Sequence, residues 1–229
     1  MGQDVRELLW GDAARPPRGR PAGLSREQIV AEAIAIADAE GLQKVSMKRV
    51  AERLDCGVMS LYRHVDGKEQ LVALMHDTAI GPAPDLSADR GWREAVAEWA
   101  RATRAYFLAH PWALPLVTED RPVGPNEVSW LDQGLGALES TRLSGAERLA
   151  AVMVVNGFVR GGVQPEVQES YAGAQWFDFM ADPRARERFP NTSALFADGS
   201  MSYETPELSF EFGLQVVLDG LERRIGDAA

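Results

Sequence analysis

The chain has 229 residues, 45% of them hydrophobic, and a formal net charge of −10. That length holds one or two domains with an ample core, and the composition is globular, not disordered or fibrous. The acid is unevenly spread: residues 15–75 carry ten Lys and Arg against eight Asp and Glu, while residues 76–229 carry thirteen against twenty-three, which permits nucleic-acid contact at one end and repels it elsewhere.

The first residues, MGQDVRELLWGDAARPPRGR, have no apolar core segment and none of the order of a signal peptide, so secretion is not expected. No apolar run approaches the roughly 20 residues of a membrane span. The single cysteine, Cys56, excludes an internal disulfide and fits a reducing cytoplasm. Residues 1–23 read as a flexible basic arm. RPPRGRPAG cannot form a helix, and Arg15, Arg18 and Arg20 suit either a minor-groove arm or a solvated tail.

Ser25 and Gln28 form a capping box ahead of the apolar stripe Ile29, Ala33, Ile34 and Ala37, and Gly41 is placed to end that helix. Ser46 caps the next one. Residues 46–65, SMKRVAERLDCGVMSLYRHV, read as two short helices, 47–54 and 58–65, joined by a tight turn in which Gly57 is expected to take the positive φ. Held at a wide angle, such a pair forms a helix-turn-helix whose second helix can enter the major groove; a plain helical hairpin is the alternative. Asp66 and Glu69 read as a second capping box. Lys68 then falls in the first helical turn, against the helix dipole, a cost that a DNA phosphate would remove.

Within that unit, Lys48 lies on the supporting helix. Val58, Met59, Ser60 and Arg63 lie on the exposed part of the reading helix. The Arg63 fork matches guanine O6 and N7, while Val58 and Met59 suit a thymine methyl. Ser60, Tyr62, His64 and Lys68 suit phosphates, which set register and not sequence. Packing against the domain is the competing role for Tyr62 and His64.

Residues 25–80 resemble the N-terminal domain of the tetracycline-repressor (TetR) family of bacterial transcription regulators. The resemblance rests on the capped helix ending AEGL, the run SMKRVAERL, the segment GVMSLYRHV, and the DGKEQLV that opens the next helix. One departure stands out. Many members carry Gly at the start of the turn, where this chain has Asp55-Cys56 and delays glycine to position 57.

Residues 91–229 read as almost all helix. The helix 92–110 presents Val96, Trp99, Thr103, Tyr106, Phe107 and His110 on one face, and Pro111 interrupts it. WALPLV gives a short element, 125–143 another helix, and Ser144 with Glu147 a further capping box. Residues 164–204 read as irregular. Thr205 caps the last helix, which runs to about residue 225. The fold class is therefore all-α: a three-helix helix-turn-helix domain over 24–80 and a helical domain over 81–229.

The helix SGAERLAAVMVVNGFVRGGV and the closing FEFGLQVVLDGLERRI are apolar over more than one face, so each needs a second partner. Both are similar to the tetracycline-repressor-type C-terminal domain, in which these helices pair as a four-helix bundle between subunits. Burial in one monomeric core is the alternative. The aromatic excess in this half suits an apolar cavity with a few polar groups. Trp99, Thr103, Tyr106, Phe107, His110, Trp130, Met153, Asn156, Arg160 and Trp176 are the candidate effector contacts. Asn156 and Arg160 are costly to bury unless paired. His64, His76 and His110 have no metal-ligand spacing, and no catalytic motif or cofactor loop is present.

The resemblance implies a cytoplasmic homodimer that binds a palindromic operator on double-stranded DNA and releases it when a small molecule binds. A ligand-independent or activating regulator, and a ligand-binding protein or enzyme with an incidental helix-turn-helix, are the rival readings.

Overall fold

The computed structural model describes residues 5–10, 24–86, 91–167, 173–197 and 206–227. Among the described residues every regular element is helical. The N-terminal head contains α1 (Val5–Trp10), α2 (Arg26–Glu40), α3 (Met47–Arg53), α4 (Val58–Leu61) and α5 (Lys68–Ile80). The body contains α6 (Gly91–Ala109), α7 (Ala113–Leu116), α8 (Pro125–Gly136), α9 (Gly145–Val167), α10 (Gly173–Ala181), α11 (Pro183–Arg188), α12 (Pro190–Ala197) and α13 (Pro206–Asp227).

Local caps set most of the head. Ser25 Oγ accepts the Gln28 N–H at 3.2 Å while Gln28 Oε1 accepts the Ser25 N–H at 2.9 Å, so the predicted box is formed. Gly41 closes α2 with φ 87° and donates its N–H to Ala37. Ser46 Oγ accepts the Arg49 N–H and starts α3. The buried faces of α2, α3, α4 and α5 then share one core through Ile29, Val50, Leu61 and Leu71, each fully excluded from water.

Four features of the head differ from the sequence reading. The positive φ of the turn belongs to Asp55, at 48°, while Gly57 sits at −73°. The Cys56 N–H reaches the Ala51 carbonyl and the Asp55 N–H reaches Glu52. That is a Schellman closure of α3, which fixes the left-handed residue at Asp55. The reading helix has only four helical residues, and positions 62–64 continue as turns. The capping box at Asp66 does not form. Gly67 is the N-cap, without a side-chain bond, and Gln70 Oε1 takes the Asp66 N–H instead. Finally, the expected arm contains α1, whose Leu8 and Leu9 are buried and which packs on α5. Arg15, Arg18 and Arg20 lie outside the described residues.

In the body, α6 packs on α9, and α13 covers both. Ser144 and Glu147 form their box. Helix α8 ends at Gly136, earlier than the periodicity suggests, and turns follow to Leu138 and beyond. Three short helices, α10 to α12, occupy part of the stretch read as irregular and pack chiefly on one another. The Thr205 cap lies outside the described residues. An inner ion pair joins α6 to α9: Arg104 grips Glu166 with both Nε and Nη2 and lies 5.0 Å over the Phe210 ring of α13.

Candidate nucleic-acid interface and effector cavities

The candidate DNA-contacting residues fall on one end of the head. Lys48 is exposed on α3, with Nζ 3.9 Å from Glu52, a pairing too loose to neutralise it. Met59 is the most exposed large apolar residue described, at 76%. Val58 and Ser60 are half-buried. Tyr62 and Arg63 project from the turn after α4, and His64 is half-buried, its carbonyl accepting from Arg26. Lys68 is exposed at the start of α5.

Charge sorts these residues further. Arg49 and Arg53 are tied to Glu40 and Glu32. Arg63 and Lys68 make no ion pair or hydrogen bond among the described residues, so both remain available to a polyanion.

The candidate effector residues are not gathered in one place. Trp99 and Trp130 form a relay: Trp99 Nε1 donates to the Trp130 carbonyl and Trp130 Nε1 donates to the carbonyl of Gly81, which caps α5. Thr103 donates to its own helix at Trp99. Tyr106, Phe107 and His110 follow as a row of tilted rings. Met153 is exposed on α9. Half-buried Asn156 and Arg160 lie one turn apart on the same helix, and Arg160 Nε is buried without a partner among the described residues. The Trp176 side chain lies outside the described residues.

Among the clefts lined by described residues, two that border α7 are large enough for a drug-sized molecule. One, of about 650 Å³, lies between α7 and α9 and is lined by Leu114, Thr118, Gly157, Arg160 and Gln164 among others; of the candidate residues it includes Arg160. The other, of about 900 Å³, separates head from body.

Sequence reasoning missed a buried polar joint between α5 and the body. His76 is 2% exposed. Arg121 Nη2 lies 3.3 Å from His76 Nε2 while its guanidinium grips Glu127 with both Nη atoms. A guanidinium only donates, so Nε2 accepts and the neutral ring carries its proton on Nδ1. Burial, reinforced by the Arg121 charge, lowers the His76 pKa to about 4. Burial also raises Tyr106, whose hydroxyl finds no partner among the described residues. Asp77 is pushed up by burial against two backbone N–H bonds that pull it down. The only hint in the sequence was a His-Asp pair continuing the apolar run LVALM. Among the described residues no group of three His, Cys, Asp or Glu side chains is arranged to hold a metal ion, and no helix is long and apolar enough to cross a membrane.

A helix-turn-helix with free cations at its outer end, set before an all-helical body, defines a DNA-binding regulator. Residues 29–75 match the family model for bacterial regulatory proteins of the tetR family, and residues 83–225 match the tetracyclin repressor-like C-terminal domain. The chain belongs to the TetR family of transcriptional regulators, which are not enzymes. It is 36% identical to the HTH-type transcriptional repressor DrrR1 of Streptomyces coeruleorubidus, over 97% of this chain and 88% of that one. Apo ActR from Streptomyces coelicolor superposes with a TM-score of 0.76 at 30% identity, over 92% of this chain and all of that one. ActR in complex with actinorhodin superposes equally well, at 29% identity over 91% of this chain and all of that one.

Proposed function

We propose that the protein is a cytoplasmic homodimeric repressor that binds a palindromic operator and leaves it when a small molecule occupies the body. The observation that carries this reading is a pair of uncovered apolar stripes. On α9, Leu149, Met153 and Val154 are 44–57% exposed, and on α13, Leu208, Phe212 and Val216 are 55–74% exposed. The α13 residues recur every four positions, and the two helices pack side by side. Apolar stripes left exposed on two adjacent helices mark an interaction surface, and a pair of long helices suits the isologous face of a two-fold dimer.

A two-fold dimer carries two heads, which suits half-sites roughly one DNA turn apart. Arg63 then reads a guanine; Val58 and Met59 meet thymine methyls; Lys48, Ser60, Tyr62, His64 and Lys68 hold the backbone. The relatives named as repressors support repression. The cleft at Arg160 supports effector binding, as does the likeness to a regulator crystallised with actinorhodin. A ligand there acts only through its different affinity for the bound and released head positions.

Selection of bound sequences from random duplex DNA, paired with sedimentation of Phe212→Glu and Val154→Glu variants, tests the reading. A palindromic consensus from the parent, and monomeric variants that lose operator affinity, are expected. A non-palindromic site, or variants that remain dimeric and bind fully, overturns it.

A further inference from the structure

The larger of the two clefts runs between the head and the body, and its walls belong to both. On the head side stand the end of α2 with Asp38, Leu42 just beyond it, and the first turns of α5 with Val72. On the body side stand Trp112, Leu116, Glu119 and Asp120. The floor is apolar: Ala73, Trp112 and Leu116 are all buried. The rim is acidic, with Asp38, Glu69, Glu119 and Asp120. Of its two cations, Arg121 is neutralised by Glu127, so among the described residues Lys68 alone faces four carboxylates.

Asp38 also ties the two walls together. Its Oδ1 accepts Trp112 Nε1 at 2.6 Å and lies 2.7 Å from His110 Nδ1. Oδ2 makes no hydrogen bond among the described residues. One carboxylate oxygen of the head is thus the anchor for two aromatic donors of the body.

We infer that this cleft is a small-molecule site for an organic cation with a bulky apolar body, distinct from the cleft at Arg160. The apolar floor takes the body of the ligand and the carboxylate rim takes its charge. An occupant touches both walls, so its affinity depends on the spacing between them, and binding shifts the angle between head and body. The charged centre also competes with Trp112 and His110 for Asp38. The regulatory consequence rests on the operator-binding reading above; the existence of the site does not.

The test is calorimetric titration of the full DNA-free protein with tetraphenylphosphonium and with tetraphenylborate, which share size and shape but differ in sign. The phosphonium is expected to bind saturably and the borate not to bind in the cleft. The exposed double variant Glu119→Gln/Asp120→Asn, and separately Asp38→Asn, which keeps the oxygen acceptor, should each weaken phosphonium binding about tenfold. Arg160→Ala should leave it unchanged. Equal binding of both ions, no phosphonium binding, or indifference to the rim variants overturns the site. Operator release is read separately by fluorescence anisotropy. Phosphonium that binds without changing operator affinity refutes the wedge action while the site stands, and a protein that binds no DNA in any state refutes the operator reading instead.

Discussion

Asp77 accepts the backbone N–H of Asn126 at 2.9 Å and so caps a helix that begins on the other side of the joint, 49 residues further along the chain. The same oxygen takes the Glu127 N–H at 3.2 Å, and Asn126 returns a bond from its side-chain amide to the Asp77 carbonyl. The last turns of α5 and the start of α8 are therefore one hydrogen-bonded unit. Asp77→Ala leaves two half-buried donors without this acceptor and should cost about 1–2 kcal/mol, whereas Asp77→Asn keeps an acceptor and should cost less. Gly124 lies against that carboxylate so closely that a Cβ would collide with it, and Gly124→Ala should cost a similar amount by overpacking. Denaturant unfolding checks all three, and an Ala variant at 77 as stable as the parent would show that the joint contributes nothing.

Arg63→Ala should weaken operator binding by about 1–3 kcal/mol and relax preference at one position per half-site. Binding-site selection with the variant is the measurement. A uniform loss across all sequences would instead assign Arg63 to the phosphate backbone.

Lys68→Ala should weaken every DNA sequence alike and reduce the slope of log affinity against log salt by about 1 per head. Titrations at several salt concentrations read this directly. Altered base preference with an unchanged slope would contradict the phosphate role.

Lowering the pH should destabilise the protein through His76. Its folded pKa is about 4 against 6.5 for the free side chain. The unfolded chain therefore takes up a proton below pH 6.5 that the folded chain refuses until about pH 4. The contribution is fully present above 6.5 and falls away by about 3 kcal/mol between those values. Asp77, raised by burial, acts with the opposite sign nearer the ordinary carboxylate range. Unfolding free energies measured from pH 7 to 4.5 should fall in the parent and stay flatter in His76→Gln; parallel curves would remove His76 as the cause.

At Asp55 the left-handed backbone is borne by a residue with a Cβ. Asp55→Gly should stabilise the head by about 0.5 kcal/mol, the relief of that conformation less the added freedom of the unfolded chain. A β-branched residue fits worse, so Asp55→Val should cost about 1–2 kcal/mol. Thermal melts of the pair decide this, and equal midpoints would mean the turn relaxes freely.

The helices were legible wherever a local signal defined them. Ser25 with Gln28, Ser46, and Ser144 with Glu147 form the caps their spacing implies, because each bond spans three residues and needs no tertiary partner. The Asp66 box failed because Gln70, one turn further, takes the same backbone N–H, and spacing alone does not rank two acceptors in reach of one donor. The turn was misplaced by two residues for a similar reason. Glycine preference pointed to Gly57, but the positive φ is set by where α3 runs out of carbonyl partners, and that is at Asp55. The site was less legible than the fold. Trp112 and Asp38 lie 74 residues apart, and no periodicity announces their bond. Trp99 and Trp130 read as cavity residues from the aromatic excess of this half, and Thr103 as a polar group on an apolar helix, yet their polar atoms bond to backbone carbonyls nearby.

Helix α4 has only four residues, Val58–Leu61, well below the length at which a helix persists alone. Its shape is borrowed from the core through Leu61 and Val65, both excluded from water. The reading surface therefore has no melting transition of its own. Amide protons in this segment should exchange only when the whole head opens, and any force that turns α5 carries the side chains proposed to contact bases with it as rigid cargo.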